Sequence, residues 1–471
     1  MNLELNGTNV IGESERTGKA SSLFWPWCGA NVSLLALSYG SFFLGFGISF
    51  WQATAAAILG TFLSFLLVGV SSLAGKKSNA PTMVLSRASF GVKGSVIPGI
   101  LSYLVFVGWE IVLVSLATLA TGTVVIRLGN VDRDIAMAIG FLIAAGLTIS
   151  AGVLGFSTIM KIQRFLTVTT LVMTSVYIAL TLSKVDWKLV SSMQSGSVQA
   201  FIGATIFGVT GIGLGWVNAA ADYSRYLPRS TSSFAVVGWT VFGASIVPII
   251  LVTYGAALSG SSQELSDAIA KDPIGALTTI LPTWYLIIFA LVAIFGLVGG
   301  AILDLYSSGL TLISIGVPVK RHVAASFDAF LMLLGVIYFV WVADNFFYPM
   351  QGFLITLGVP IATWSAIFAT DVLLRKTYHE GDLYRLNGRY GSWNKRSISI
   401  MAVGTIIGWG FVTNTFAGWL SWQGYLLFLI GGKEGPWAFS NVGVILALVI
   451  GFSGHYLFSG RKIRAQENAL S

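Results

Sequence analysis

Four side chains have chemistry that is out of place in their surroundings. Glu110, in the run VFVGWEIVLVS, and Asp304, in VGGAILDLYSSG, are carboxylic acids set inside long apolar stretches. An ionised carboxylate at bilayer depth costs several kcal/mol, so acids placed there face a bundle interior or a wet cavity and are candidate proton carriers. Trp109 and Trp216 each follow a glycine inside such a stretch, Gly108 and Gly215. Beside a bare glycine, an indole leaves room for a flat solute to stack, an interaction worth on the order of 1–3 kcal/mol per base in nucleic-acid binding. Brought together, these groups would hold a planar polar molecule and move a proton. Kept apart, the acids would be interhelical hydrogen-bonding groups and the indoles packing.

None of these groups makes a catalytic centre. An enzyme requires a nucleophile with its base, or a convergent metal constellation. The single Cys28 and the scattered His322, His379 and His455 supply neither, so no disulfide, metal site or bound cofactor is expected.

The elements that must position these residues are membrane helices. The chain has 471 residues, 55% hydrophobic and 10% charged, with a mean hydropathy of +0.81, which marks an all-α polytopic membrane protein. About twelve runs reach the roughly 20 residues needed to span a bilayer. They lie near 28–50, 53–75, 96–122, 135–153, 165–183, 198–221, 234–258, 281–312, 324–343, 350–372, 398–420 and 439–459. The polar segment 1–27 carries no basic-then-apolar leader and is expected to be retained. One transmembrane domain, 28–460, and a tail, 461–471, make up the rest.

The net charge of +8 is a topology signal. Twenty-one of the 27 Lys and Arg residues fall on one set of alternating loops if the N-terminus is cytoplasmic. The positive-inside rule then puts both termini in the cytoplasm, in a cell membrane, with an even number of spans. The basic excess needs no nucleic-acid partner, and the only partners expected are the lipid bilayer and a small solute.

Glycines interrupt two spans most heavily: YGSFFLGFGIS (Tyr39 to Ser49) in span 1 and GVTGIGLGWVN (Gly208 to Asn218) in span 6. They lie five spans apart, the offset of two inverted five-helix repeats whose discontinuous helices expose backbone to a solute. Repeat 1 would cover about 28–183 and repeat 2 about 198–372, with two extra helices at about 398–459. Gly40, Gly211, Gly213 and Gly215 are the candidate broken-helix positions. The competing reading is that these glycines only let helices pack closely. Asp222, Asp328, Asp344 and Asp371 fall at expected helix ends as interfacial anchors, and Trp284 and Trp341 belong to an interfacial belt.

Several motifs together resemble one family. GWVNAAADYSRYLP at the end of span 6, PTMVLSRASFG (Pro81 to Gly91), VGW (Val107 to Trp109), GANVSLLALSYG in span 1 and DLYSSGL in span 8 are similar to segments of the nucleobase:cation symporter family, purine-cytosine permease branch. The resemblance implies the leucine-transporter fold, with a substrate site between helices 1, 3, 6 and 8. It makes Trp109 and Trp216 the tryptophans that stack on the base and Ser38 the helix 1 serine. Asp304 falls on a helix 8 asparagine, Gly300 replaces another, Leu113 replaces a polar helix 3 residue and Gln163 corresponds to a glutamate of fungal relatives. Glu110 has no counterpart in the pattern.

Sodium-coupled relatives use a pair of helix 8 hydroxyls, and the aligned residues here are Ile294 and Phe295. A hard cation needs oxygen ligands, so proton coupling through Asp304, Glu110 or both is expected, with sodium as the alternative. The function implied is alternating-access import of a cytosine- or purine-type nucleobase. A vitamin-like ring (hydroxymethylpyrimidine or pyridoxine type) or a hydantoin such as allantoin is the nearest alternative. A channel or a membrane enzyme is more distant.

Overall fold

The computed structural model describes residues 10–152, 156–318, 321–343, 346–414 and 418–468. The last residue of the fourth expected span at 153, Lys320, Asp344 and the extremities 1–9 and 469–471 lie outside them. Among the described residues all regular structure is helical. In chain order the principal helices are α1 (Phe24–Asn31), α2 (Leu35–Leu44), α3 (Phe50–Lys77), α4 (Val96–Gly129), α5 (Arg133–Gly152) and α6 (Phe156–Thr181). They continue with α7 (Val198–Gly208), α8 (Ala220–Ser224), α9 (Ser233–Gly260), α10 (Gln263–Lys271), α11 (Leu286–Ser314), α12 (Arg321–Ile337), α13 (Phe347–Leu374), α14 (Lys395–Gly410) and α15 (Gly443–Asn468).

Among these residues nine segments are long and apolar enough to cross a bilayer, and the α1–α2 pair, bent by 65°, makes a tenth. The expected count of about twelve is reached only with two shorter helices, α12 and the 16-residue α14. α14 stops at Gly410 instead of running to 420. Beyond it the chain turns through Gly424, Gly431 and Gly432, all at positive φ, a conformation glycine adopts without steric cost.

Local sequence explains the long helices. Ser49 and Gln52 form a reciprocal cap that starts α3: the Gln52 N–H donates to Ser49 Oγ at 3.3 Å and the Ser49 N–H donates to Gln52 Oε1 at 3.1 Å. Ser197 and Ser232 accept the third N–H of α7 and α9 in the same manner. α3 lies along α9, and α4 along α11. The broken first span sits between them, with α1 against α6, α9 and α11.

The first break corrects an expectation. It falls at Val32–Leu34, before the glycine-rich stretch, and Gly40 lies inside the regular helix α2. A Cβ at position 40 would run into the backbone of Gly255 and Ala256 in α9. Gly40 is therefore a close-packing glycine. The break is made by polar residues instead: the Asn31 side-chain N–H donates to the Trp27 carbonyl at 2.8 Å and Ser33 Oγ accepts from the Leu35 N–H at 3.2 Å. Short polar side chains compete with helical hydrogen bonds in this way.

The second break falls where the glycines predict it. α7 passes into a π turn over Val209–Gly213 and then a 3-10 segment over Leu214–Ala219 before α8 resumes. Gly211, Gly213 and Gly215 all lie in it. Thr210 Oγ1 donates to the Ile206 carbonyl at 3.0 Å and Asn218 Nδ2 to the Gly215 carbonyl at 2.9 Å, supplying partners where the α-helical ladder is lost.

The first and last described segments lie on one face of the bundle, the terminal face. Arg16 reaches the Lys76 carbonyl at 2.7 Å, Arg229 bonds Glu13 at 3.0 Å and Glu380 at 2.7 Å, and Arg375 donates to Gln466 at 2.9 Å.

Candidate functional site

The two breaks meet at an internal cavity of about 60 Å³, room for a few water molecules at roughly 10–15 Å³ each. Trp109 from α4, Trp216 from the second break and Asp304 from α11 all line it. Asn31, Ser33 and Tyr39 reach it from the first span, and Leu113 and Ile212 close it with apolar surface. The indoles come from different elements and are held by edge contacts: Trp216 meets Trp27 at 5.9 Å and 82°, and Trp109 meets Phe353 at 6.2 Å and 81°. An edge-held indole keeps a face available for stacking.

The polar lining mainly accepts hydrogen bonds. Asp304 is 2% exposed and its Oδ2 has no hydrogen-bond partner. Asn31 has spent an N–H on Trp27, leaving its oxygen as an acceptor. The arrangement can hold a flat ring between aromatic faces and receive N–H donors from its edge. Among the described residues no group of three His, Cys, Asp or Glu could hold a metal ion.

Other expected site residues lie elsewhere. The Ser38 hydroxyl donates to the carbonyl of Pro273, in the loop after α10, and does not line the cavity. The sequence gives no sign of that loop folding back over α2. Gly300 sits behind the wall: a Cβ there would stand 2.9 Å from Leu113 Cδ1 and 3.6 Å from the Ala30 carbonyl oxygen. Glu110 also misses the cavity. It lies near Ser308 of α11 and Asp328 of α12, fully buried, and neither of its oxygens has a hydrogen-bond partner in good geometry.

The α11 register also differs from expectation. Gly296 faces the first break, a Cβ there standing 2.7 Å from the Val32 carbonyl oxygen, whereas Phe295 turns to Phe165 of α6. Ile294 and Phe295 are therefore not the residues opposite the break. Gln163, from α6, is fully buried beside it and donates to the Gly299 carbonyl at 2.5 Å.

Three acids expected at the interface are buried. Asp328 accepts from the Tyr103 hydroxyl and from Ser308 Oγ at 2.8 Å. Asp222 accepts from both the backbone N–H and the hydroxyl of Thr82, each at 2.8 Å. Asp371 pairs with Arg375 at 2.7 Å. The Tyr103 and Thr82 partners lie 225 and 140 positions away, beyond the reach of a local pattern, whereas Arg375 stands four positions from Asp371. Trp284 is 62% exposed, as a belt residue would be, while Trp341 packs edge-on against Phe141.

The cavity is closed toward the terminal face and thinly partitioned from the other. On the terminal side Asp222 ties the end of the second broken span to the α3–α4 connection through Thr82. The N-terminal segment crosses over it, and the Arg229 bond holds the Glu13 carboxyl below the usual carboxylate range. Toward the opposite face lies a vestibule of about 550 Å³ lined by Ser41, Phe42, Ser266, Asp267 and Gln351 among others. Tyr39 and Phe42, with ring centroids 5.9 Å apart, stand between vestibule and cavity.

A sequence model of the family described as permeases for cytosine/purines, uracil, thiamine and allantoin matches residues 10–431. YxlA of Bacillus subtilis, provisionally named a purine-cytosine permease, is 25% identical over 449 residues, covering 93% of each chain. The purine-cytosine permease FCY2 of Saccharomyces cerevisiae is 28% identical over 268 residues, 55% of this chain and 48% of that one. Among solved structures, the nucleobase-cation-symport-1 family transporter Mhp1, in a closed conformation with bromovinylhydantoin bound, aligns with a TM-score of 0.72 at 19% identity over 99% of this chain and 97% of that one. Its inward-facing conformation aligns at 0.67. At that identity the likeness is one of fold, and it establishes the leucine-transporter-type architecture with broken first and sixth spans.

Proposed function

The chain belongs to this family of cytosine/purine, uracil, thiamine and allantoin permeases, and we propose that it imports a small planar nitrogen heterocycle of nucleobase type by proton symport. The observation that carries the proposal is the convergence of Trp109, Trp216 and Asp304, from three separate elements, on the cavity where the two breaks meet. The indoles take the ring faces and Asp304 accepts from the ring edge. Uncoiled backbone lets both spans pivot, so the cavity opens alternately to the vestibule and to the terminal face.

The basic loops support a cytoplasmic terminal face, which makes the vestibule external and the direction inward. The repeats are assigned to about 28–183 and 198–372. Proton coupling is favoured because α11 carries no Ser or Thr before Ser307, so the helix facing the first break offers no hydroxyl to a hard cation.

A second reading is a hydantoin or vitamin-like ring. It is favoured by Leu113, an apolar group in the wall beside an acceptor-rich edge, which suits a ring rich in N–H donors with a substituent to bury.

Uptake of labelled rings of both kinds into proteoliposomes, with proton and sodium gradients imposed separately, is the test. Saturable uptake following the proton gradient, with altered ring preference in Asp304→Asn, supports the proposal. Accumulation driven by sodium alone overturns the coupling, and uptake of none of the rings overturns the substrate class.

A further inference from the structure

The buried acids Glu110 and Asp328 form a unit that the ring site does not use. Both are fully buried, one on α4 and one on α12, helices that pack on each other and on α11. Their hydrogen bonding is unequal. Asp328 accepts on both oxygens, from the Tyr103 hydroxyl at Oδ1 and from Ser308 at Oδ2, 2.8 Å away. An acceptor on both oxygens is the pattern of an ionised carboxylate. Glu110 receives no such bond at either oxygen, and an anion left without donors in an apolar interior is strongly disfavoured. The polar group within its reach is Ser308, whose hydroxyl has Asp328 Oδ2 at 2.8 Å and the Leu305 carbonyl at 3.2 Å as acceptors.

The titratable groups acting on Glu110 are Asp328 and Asp304, and on its own helix Tyr103. Among the described residues none of these groups is cationic, so two negative charges here would be uncompensated. Asp304 and Ser308 are one turn apart on α11 and share a face, which places the pair one step from the cavity.

We propose that Glu110 and Asp328, bridged by the Ser308 hydroxyl, share a single proton and that this pair, with Asp304 as its port to the cavity, is the resting place of the coupled proton. In the resting arrangement Glu110 is the neutral acid and Asp328 the anion. Transfer runs through Ser308: the Glu110 O–H breaks as its proton passes to Ser308 Oγ, and the original Ser308 proton moves to Asp328. Charge and atoms are conserved, and the site stays singly negative. Ring binding beside Asp304 alters the field on the pair and selects which acid holds the proton.

This inference rests on the reading of the chain as a proton-coupled ring carrier, and two readouts separate the two. Infrared difference spectroscopy of the purified protein tests the pair without transport. The carbonyl-stretch band of a protonated carboxylic acid is expected in the native chain, lost in Glu110→Gln and kept in Asp328→Asn; identical native and Glu110→Gln spectra overturn the pair. In proteoliposomes, the accumulation ratio driven by a proton gradient is expected to fall to unity in Glu110→Gln while ring counterflow persists. Native-like accumulation overturns the coupling role. Where Glu110→Gln does not fold, Ser308→Ala decides: accumulation several-fold lower with counterflow intact supports the bridge, and unchanged accumulation overturns it. Native protein that transports no ring but shows the band overturns the carrier reading alone.

Discussion

The Tyr39 hydroxyl donates to the Gly211 carbonyl at 2.8 Å, across 172 positions of sequence. The vestibule half of the first span is thereby fastened to the π turn of the second broken span, at the partition between vestibule and cavity.

Removing that bond should loosen the partition. A neutral hydrogen bond contributes a net of roughly 0.5–1.5 kcal/mol, so Tyr39→Phe should speed release of bound ring toward the vestibule by about two- to twelve-fold. Stopped-flow tryptophan fluorescence after dilution of a preloaded sample measures it. An unchanged release rate would mean that the tie does not hold the partition shut.

The two indoles should govern affinity. Truncation of a stacking aromatic costs about 1–3 kcal/mol per base, so Trp109→Ala and Trp216→Ala should each raise KM by roughly 5- to 150-fold, with the Phe variants milder. A normal KM in either Ala variant, read by initial-rate uptake, removes that indole from the site.

The glycines should separate by role. Gly40→Ala drives a methyl into the α9 backbone, and overpacking of this kind costs typically 1–3 kcal/mol or more. Its melting temperature and monodisperse yield should drop. At Gly211 a Cβ meets nothing nearer than 3.5 Å, so Gly211→Ala should fold normally while changing transport. Size-exclusion profiles and thermal melts distinguish the two, and equal losses would contradict the assignment.

The tie across the terminal face should respond to acid in one direction only. Glu13 bonds Arg229, which also bonds Glu380, and the Arg229 bond holds the Glu13 carboxyl below its usual range. A lowered carboxylate contributes fully above its unfolded pKa and loses that contribution as pH falls through the folded value. A spin label at the exposed Ser14 should therefore stay restrained at neutral and mildly acidic pH and become mobile only below the ordinary carboxylate range. Glu13→Gln should be more mobile throughout, and high salt should mimic it because the pair is exposed. Mobility that increases on raising the pH would contradict the tie.

Much of the cavity lining was readable in the sequence because its signals are rare. Trp109, Trp216 and Asp304 stand out in apolar runs, and the glycines of Gly208 to Asn218 mark a real interruption. The first break escaped because Asn31 and Ser33 make it through side-chain hydrogen bonds, while the nearby glycine at 40 serves helix contact. Asp328, Asp222 and Asp371 escaped because position along a helix does not reveal depth when the helix itself is buried. Tyr103 and Thr82 satisfy two of them through tertiary placement, and Arg375 pairs with Asp371 from four positions along the chain. Ser38 was drawn away by a loop whose path over α2 leaves no local pattern.

Leu113 on α4 and Gly300 on α11 divide one volume between them, since side-chain bulk at 300 would stand where Leu113 now is. The cavity wall there is two layers deep, with Leu113 facing the cavity and Gly300 behind it. A side chain at 300 would press on Leu113 from behind and push that stretch of wall toward the cavity. The outline of the cavity is thereby set from the second layer, at a position that touches neither indole.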